Sequence, residues 1–116
     1  MDFEWDDDKN RLNLEKHGIS FEEAVFVFDD VHLSRVDTRE GYGEMRDITI
    51  GMMAGTVVTV VVHTDRENAI RIISARKANK RERSEYHAYY TKETGRPPAD
   101  FKETDGGNQG PSRRGD

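Results

Sequence analysis

The sequence predicts a small α+β domain in which a short strand and two helices precede an antiparallel meander sheet of three to four strands and a closing C-terminal helix. Three observations support this order. Helix-capping residues and helical apolar spacing occupy the first thirty residues, three strand-like segments occupy residues 46–75, and residues 77–90 contain neither glycine nor proline. A chain of 116 residues with 34% apolar content is sufficient for one domain with a modest core.

The first segment predicts a short strand followed by a helix. Phe3 and Trp5 alternate with acidic residues, which is typical of a strand. Asp6 or Asp7 then provides a side-chain acceptor for the first turn of a helix. Gly18 is expected to end this helix, because glycine readily adopts the left-handed conformation of a helix C-terminus.

The second helix is predicted from its N-terminal signals. We expect Leu12 on the buried side of the first helix. For the second helix, Ser20 and Glu23 form a capping box, and Ile19 lies in the position of a hydrophobic staple. Phe26 falls off the apolar stripe of the second helix. The members of that stripe, which we expect to be core residues, are Phe21, Ala24, Val25 and Phe28.

The middle of the chain is predicted to form strands. Arg46 to Met52 alternates between two faces, and Ala54-Gly55 follows as a turn signal. Val57 to His63 and Ala69 to Ala75 are the next two strands. The polar connection between them, Thr64 to Asn68, suits antiparallel neighbours. Together these segments predict a meander.

The C-terminal part divides into a helix and a tail. Lys77 to Tyr90 has the spacing of a closing helix packed near the sheet. All three prolines and five of the ten glycines lie beyond Thr91, and the end of the chain contains no aliphatic residue. We therefore expect a folded domain over residues 1–90 and a disordered polar tail over residues 91–116.

Composition excludes several classes of protein. The chain contains no cysteine, and its four histidines show no metal-ligand spacing, so we expect no disulfide, no metal and no cofactor. No apolar run is long enough to span a membrane. The acidic N-terminus lacks the features of a secretion signal, and the expected location is therefore the cytoplasm.

Charge is distributed unevenly along the chain. Residues 66–83 carry seven cations against two acids, a balance of +5, whereas the whole chain carries -5. Residues 1–30 carry ten acids against three cations, a balance of -7. This asymmetry is typical either of two solvated faces or of a local surface that binds phosphates.

Four sequence blocks identify a resemblance to a known family. FEWD begins at Phe3, KHGISFEEA begins at Lys16, GEMR begins at Gly43 and RIISARKA begins at Arg71. In this order, over residues 2 to about 90, they resemble the BrnT family of toxins from type II toxin-antitoxin modules. The resemblance implies a RelE-like fold and a metal-independent endoribonuclease that inhibits translation and growth.

The resemblance also implies partners. It implies an antitoxin of the BrnA type, which is a DNA-binding protein of the ribbon-helix-helix class, and a toxin-antitoxin heterotetramer. RNA is the implied substrate, and operator DNA is contacted only through the antitoxin. The competing hypothesis is a binding module without catalysis, which acts as a co-repressor partner of the same DNA-binding protein.

Two arginines lead the candidates for catalysis. Metal-independent RNA cleavage needs a base, an acid and cations where negative charge grows on phosphorus. Arg71 and Arg76 suit the last role, and Ser74 can donate to phosphate. Five positions is an odd spacing, so a regular strand places the two arginines on opposite faces. Either the strand ends near Ala75 and Arg76 turns at the helix start, which we favour, or a bulge intervenes, or only one arginine is catalytic.

Three further residues are candidates for acid-base chemistry. His17 can titrate near neutral pH, but its place in the last turn of a helix also suits bonding to terminal carbonyls. Glu44 and Arg46 are two apart, so they share a strand face and form either a base held beside a cation or a plain surface ion pair.

The remaining candidates are residues for contact with RNA. Tyr86 can stack on a base, although most aromatic residues in such a helix simply pack. Lys16 is either a phosphate contact or an exposed lysine in a final helical turn. The full set of predicted RNA contacts is Lys16, Ser74, Lys77, Lys80 and Tyr86.

Overall fold

The computed structural model describes residues 2–39, 41, 43–53 and 57–98. Within these ranges the chain forms one mixed sheet flanked by helices. The strands are β1 (Asp2–Glu4), β2 (His32–Val36), β3 (Asp47–Met53), β4 (Val57–Arg66) and β5 (Ala69–Lys77). The helices are α1 (Asp7–His17), α2 (Phe21–Ala24), a 3₁₀ helix (Val25–Asp29) and α3 (Lys80–Thr94).

The sheet has the order β1-β5-β4-β3-β2. Its last four strands form the predicted antiparallel meander, which confirms the α+β class. The sheet is mixed rather than purely antiparallel, because β1 pairs in parallel with β5. β2 was not predicted as a strand. The predicted turn at Ala54-Gly55 lies outside the described residues.

Local capping defines α1 as predicted. The Asp6 side chain accepts hydrogen bonds from the backbone N–H groups of Asp8 and Lys9. Gly18 ends the helix with a φ of 74°, a conformation that glycine adopts without steric cost. The prediction for Leu12 is wrong, since its side chain is 56% exposed and Asn13 is the buried residue of the helix.

Asn13 explains why α1 buries an amide instead of a leucine. Its side-chain N–H donates to the carbonyl of Ala75 at 2.8 Å, and its carbonyl oxygen accepts from the Ala75 N–H at 3.2 Å. A third bond joins the same amide to the carbonyl of Ile19 at 2.9 Å. Along this edge of β5, β1 pairs with residues 69–71, and the Asn13 side chain bonds to the backbone N–H and C=O groups of Ala75. α1 is therefore held at an edge of the sheet.

The predicted capping box at the start of α2 is confirmed. Ser20 accepts from the Glu23 N–H, and the Glu23 carboxylate accepts from the Ser20 N–H. The chain then tightens into the 3₁₀ helix, which exposes Phe26 as predicted. It buries Val27, which was not a predicted core residue, whereas Val25 and Phe28, which were, are partly buried. The 3₁₀ helix approaches β3 so closely that a Cβ on Gly51 would lie 2.9 Å from Val27 Cγ1. Gly51 is therefore required for this contact.

Two apolar clusters lie on the two faces of the sheet. On one face, Ile19, Phe21, Ala24 and Val27 from the α1–α2 region pack against the sheet, so we call it the α2 face. On the other face, α3 packs through Tyr86, so we call it the α3 face. The sheet residues of the α2 face cluster are Val61, Ile72 and Ala75, and those of the α3 face cluster are Ile50, Met52, Val58 and Val60.

The closing helix is confirmed, but it is displaced along the chain: it was predicted from Lys77 to Tyr90 and spans Lys80–Thr94, since Lys77 belongs to β5. An Asn79–Glu82 capping box begins α3, and Gly95 ends it with a φ of 79°. The helix therefore continues past residue 90, the predicted end of the folded domain. The described chain ends at Pro98, and the rest of the predicted tail lies outside the described residues.

We expect Asn13→Ala to lower the free energy of unfolding by roughly 2–4 kcal/mol, since it leaves the buried polar groups of Ala75 and Ile19 without their partner. The neighbouring substitution Leu12→Ala is the control and should cost less than about 0.5 kcal/mol. Urea denaturation measures both values. A larger loss for Leu12→Ala than for Asn13→Ala would contradict this description of α1.

Candidate functional site

One extra residue in β5 determines which side chains share a face. Val62 of β4 pairs with Ser74, whereas the next residue, His63, pairs with Ile72. Ile73 is therefore the extra residue of a β-bulge: it lies between Ile72 and Ser74, whose partners His63 and Val62 are consecutive in β4. Such an insertion shifts the alternation of side chains by one position.

The bulge brings Arg71 and Arg76 to the same face. Arg71 pairs with Thr64 and Arg76 pairs with Val60, and these two partners are four residues apart in β4. Directly paired residues of an antiparallel ladder point to the same side, so both arginines lie on the α3 face with Val60. The favoured option, in which the strand ends near Ala75, is wrong because β5 continues to Lys77. The bulge alternative is confirmed.

Ser74 completes a column with the two arginines. Its partner Val62 lies midway between Thr64 and Val60, so the three polar residues of β5 follow one another at steps of roughly 7 Å along β4. α3 covers the end of this face near Val60, where the apolar cluster lies. Arg71 and Ser74 are half-buried, and the Arg71 side chain is 33% exposed.

Arg76 forms a two-point ion pair with α3. Its two terminal nitrogens each donate to one oxygen of Glu82, both at 2.9 Å. The same carboxylate also accepts from the Asn79 N–H in the capping box. The hydrogen bonds that Arg76 donates to the Glu82 carboxylate lower the pKa of Glu82 and raise the pKa of Arg76. The pair therefore joins the end of β5 to the start of α3.

Arg71 forms its ion pair with β1. A terminal nitrogen of Arg71 lies 3.3 Å from the carboxylate of Glu4, its cross-strand neighbour, and Arg66 approaches the same oxygen at 3.7 Å. The fold thus brings Glu4, an acid from outside the +5 segment of the sequence, beside Arg71 and Arg66 of that segment. This surface is not a uniformly basic patch.

Glu44 and Arg46 meet immediately before β3. Arg46 Nε lies 3.5 Å from a carboxylate oxygen of Glu44. Arg46 is mostly buried, whereas the Glu44 side chain is 39% exposed. Thr64, the partner of Arg71, donates its hydroxyl hydrogen to the carbonyl of Met45 and so fixes this segment beside β4. The structure therefore provides an accessible carboxylate held by an arginine.

Arg35 is a further arginine on the α3 face, and the sequence prediction missed it. It lies in β2 opposite Ile48, a residue packed on the α3 face, and is exposed. Its charge contributes, after the Arg76 and Asn79 hydrogen bonds, to the lowered pKa of Glu82. The alternation of His32 to Val36 could have indicated the strand, but a short strand at a sheet edge gives a weak signal.

Tyr86 is a core residue and not a surface contact, so that prediction is wrong. Its side chain is fully buried in the apolar cluster of the α3 face. The hydroxyl donates to the carbonyl of Val31 at 2.8 Å, and burial raises its pKa. A base cannot stack on a ring that α3 and the sheet enclose.

The other predicted residues lie at the ends of elements. Lys16 and His17 occupy the last turn of α1. In the described part of the chain, neither forms a hydrogen bond or ion pair with Arg71 or Arg76. Lys77 ends β5 and Lys80 begins α3, and both are exposed. These two lysines are near Arg76 in the chain, whereas His17 belongs to a different element.

Comparison with known proteins gives a family and a structural relative. A family model described as "Ribonuclease toxin, BrnT, of type II toxin-antitoxin system" matches residues 5–82. The 1.1 Å crystal structure of the Brucella abortus ribonuclease toxin BrnT is similar, with a TM-score of 0.52 and 26% sequence identity. The match covers 68% of this chain and 97% of that chain. No curated protein matches this chain. None of the described helices is long and apolar enough to cross a membrane.

We expect Tyr86→Phe to reduce stability by about 1 kcal/mol, because it removes one buried hydrogen bond and keeps the ring. RNA binding by the folded variant should be unchanged in a fluorescence anisotropy titration. Loss of RNA affinity without loss of stability would show that the Tyr86 hydroxyl contacts RNA after all.

We expect Glu82→Gln to destabilise the protein more at pH 7 than at pH 3. The pKa of Glu82 is lowered from 4.5 in the folded state, so its ion pair stabilises fully above 4.5 and is lost as pH falls from there through the lower folded-state pKa. The cost should be up to about 1 kcal/mol at pH 7 and smaller at pH 3. Urea midpoints at both pH values test this, with Glu93→Gln, an exposed carboxylate of the same helix, as the control. An equal cost at both pH values would contradict it.

Proposed function

Because this chain belongs to the BrnT family of ribonuclease toxins of type II toxin-antitoxin systems, we propose that it is an endoribonuclease that cleaves RNA on the α3 face of its sheet. One observation carries the placement of the site. The bulge at Ile73 aligns Arg71, Ser74 and Arg76 in one column on that face. A regular strand would have divided these groups between two faces.

The column suits the charge that develops during metal-independent cleavage. Attack of the RNA 2′-hydroxyl on phosphorus produces a phosphorane with additional negative charge on its oxygens. Arginine holds two such oxygens at once and stays protonated at every relevant pH. Arg76 already presents two N–H groups to two carboxylate oxygens, and a phosphate group offers the same fork of acceptors. Ser74 provides a hydroxyl donor between the arginines.

Glu44 is the proposed base for the 2′-hydroxyl. It is the more accessible of the carboxylates paired with Arg46 and Arg76, since Glu44 is 39% exposed and Glu82 is 13% exposed. Arg46 holds the Glu44 carboxylate in position at 3.5 Å. A carboxylate can accept a proton in this role.

Lys16, Lys77 and Lys80 are proposed to contact RNA phosphates beyond the cleaved bond. Lys77 and Lys80 follow Arg76 along the junction of β5 and α3, where both are exposed. Contacts of this kind add affinity that falls as salt rises. His17 is proposed only as a donor to α1 carbonyls and a secondary candidate for proton transfer, because it lies in the last turn of α1.

The biological consequences are proposed from the same premise. Cleavage of messenger RNA in the cytoplasm inhibits translation and growth. An antitoxin of the BrnA type, with a DNA-binding ribbon-helix-helix domain, neutralises the toxin in a heterotetramer and carries it to operator DNA. Each site arginine already pairs with a carboxylate, so an acidic antitoxin segment could replace Glu4 or Glu82 on the same groups.

We expect Arg71→Ala and Arg76→Ala each to reduce the rate of RNA cleavage about 10²–10³-fold, since each removes a cation from the developing phosphorane. The assay uses purified protein, a labelled RNA and EDTA. Arg11→Ala removes an arginine that is also ion-paired but lies on α1, and it should cleave as the original chain does. Circular dichroism verifies that each variant is folded.

Two outcomes would contradict this proposal. Full activity in both site variants would place the catalytic centre elsewhere. Absence of cleavage by the intact chain, together with enhanced operator binding of its antitoxin, would favour the non-catalytic co-repressor.

A further inference from the structure

Three potential metal ligands meet on the α2 face, on the side of the sheet opposite the arginine column. Asp47 of β3 pairs directly with His63 of β4, and Asp65 lies two residues further along the same strand. All three side chains therefore point to one side. One ligand atom from each lies within 4.8 Å of the others.

We propose that Asp47, His63 and Asp65 bind a divalent first-row transition-metal ion. The ligands are Nδ1 of His63 and one carboxylate oxygen from each aspartate. One imidazole and two carboxylates suit Zn²⁺, Mn²⁺ or Fe²⁺, whereas Mg²⁺ prefers oxygen ligands alone. This site is separate from the proposed RNA-cleavage site, and its existence does not depend on that activity.

The orientation of the His63 ring supports metal binding through Nδ1. Nε2 lies 2.7 Å from the hydroxyl of Thr49, which lies 2.7 Å from the hydroxyl of Ser34. His63 and Thr49 are both buried, and Phe28 contacts the imidazole edge-on at 5.1 Å between ring centres. Metal-binding histidines generally donate their second N–H to a fixed polar group in this way. Thr49 and Ser34 therefore hold the ring with Nδ1 directed at the aspartates.

The distance between His63 and Asp65 also fits a shared ion. Nδ1 lies 2.9 Å from a carboxylate oxygen of Asp65. Two ligands with bonds of about 2.1 Å to one ion lie about 3 Å apart at right angles and about 3.4 Å apart in a tetrahedral site, so an ion can bind both atoms after a shift of about 0.5 Å or less. Asp65 is 59% exposed, and the ion would keep open positions toward solvent.

A cavity lies beside the proposed site. It has a volume of about 400 Å³ and is lined by Phe3, Phe28, Asp29, His32 and Ile70. Phe28 contacts the ring of His63, and Ile70 pairs across the strands with Asp65. The cavity therefore adjoins two residues that neighbour the proposed ligands. The sequence spacing gave no sign of this site, because Asp47 belongs to a different strand.

Isothermal titration calorimetry of the untagged full chain, after treatment with a chelator, tests the proposal without RNA. We expect one Zn²⁺ per chain, weaker binding of Mn²⁺ and no binding of Mg²⁺. Asp47→Asn and Asp65→Asn should each weaken Zn²⁺ binding at least about tenfold. Glu67→Gln is the matched control, since it neutralises an exposed carboxylate two residues from Asp65 and should bind Zn²⁺ as the original chain does.

A second measurement identifies the ligand atom. In ¹⁵N NMR of the histidine side chains, Zn²⁺ should shift Nδ1 of His63 while Nε2 stays protonated. Unchanged Zn²⁺ affinity in both aspartate variants would overturn the proposal, as would the absence of one-to-one binding. Zn²⁺-dependent shifts confined to His17, His32 or His87 would also overturn it.

Discussion

The bulge at Ile73 is the constraint on which the two faces of the sheet depend. On one side of β5 it places Ile72 and Ala75 together in the apolar cluster beneath α2, although they are three residues apart. On the other side it aligns Arg71 and Arg76, which are five residues apart. Without the extra residue, one half of β5 would turn its arginine toward the core and its isoleucine toward solvent.

The charged groups of this fold act in pairs that join distant parts of the chain. Glu4 holds Arg71 and ties β1 to β5, and Glu82 holds Arg76 and ties α3 to β5. A third acid, Glu44, forms an ion pair with Arg46. The arginines of the ion pairs with Glu4 and Glu82 are therefore the ones proposed to bind phosphate. Under that proposal RNA must replace the acidic partners, so that RNA and the carboxylates compete for the same arginines.

Sequence predicted the features that depend on neighbouring residues. The caps of α1 and α2 and the meander all follow from local hydrogen bonding and alternation, and each was confirmed. Predictions that depended on distant contacts were less accurate. Leu12 occupies an apolar position in the sequence, but the polar edge at Ala75 selects Asn13 for burial. Nothing local distinguishes the bulge at Ile73, because the strain and benefit of an inserted residue depend on the strand it pairs with.

Nuclear Overhauser effects between β4 and β5 in the isotope-labelled protein test the central claim most directly. The bulged register predicts contacts between the backbone protons of Thr64 and Arg71 together with contacts between Val62 and Ser74. Contacts of Thr64 with Ile72 instead would show an uninterrupted ladder. That result would place Arg71 and Arg76 on opposite faces and contradict a single phosphate-binding column.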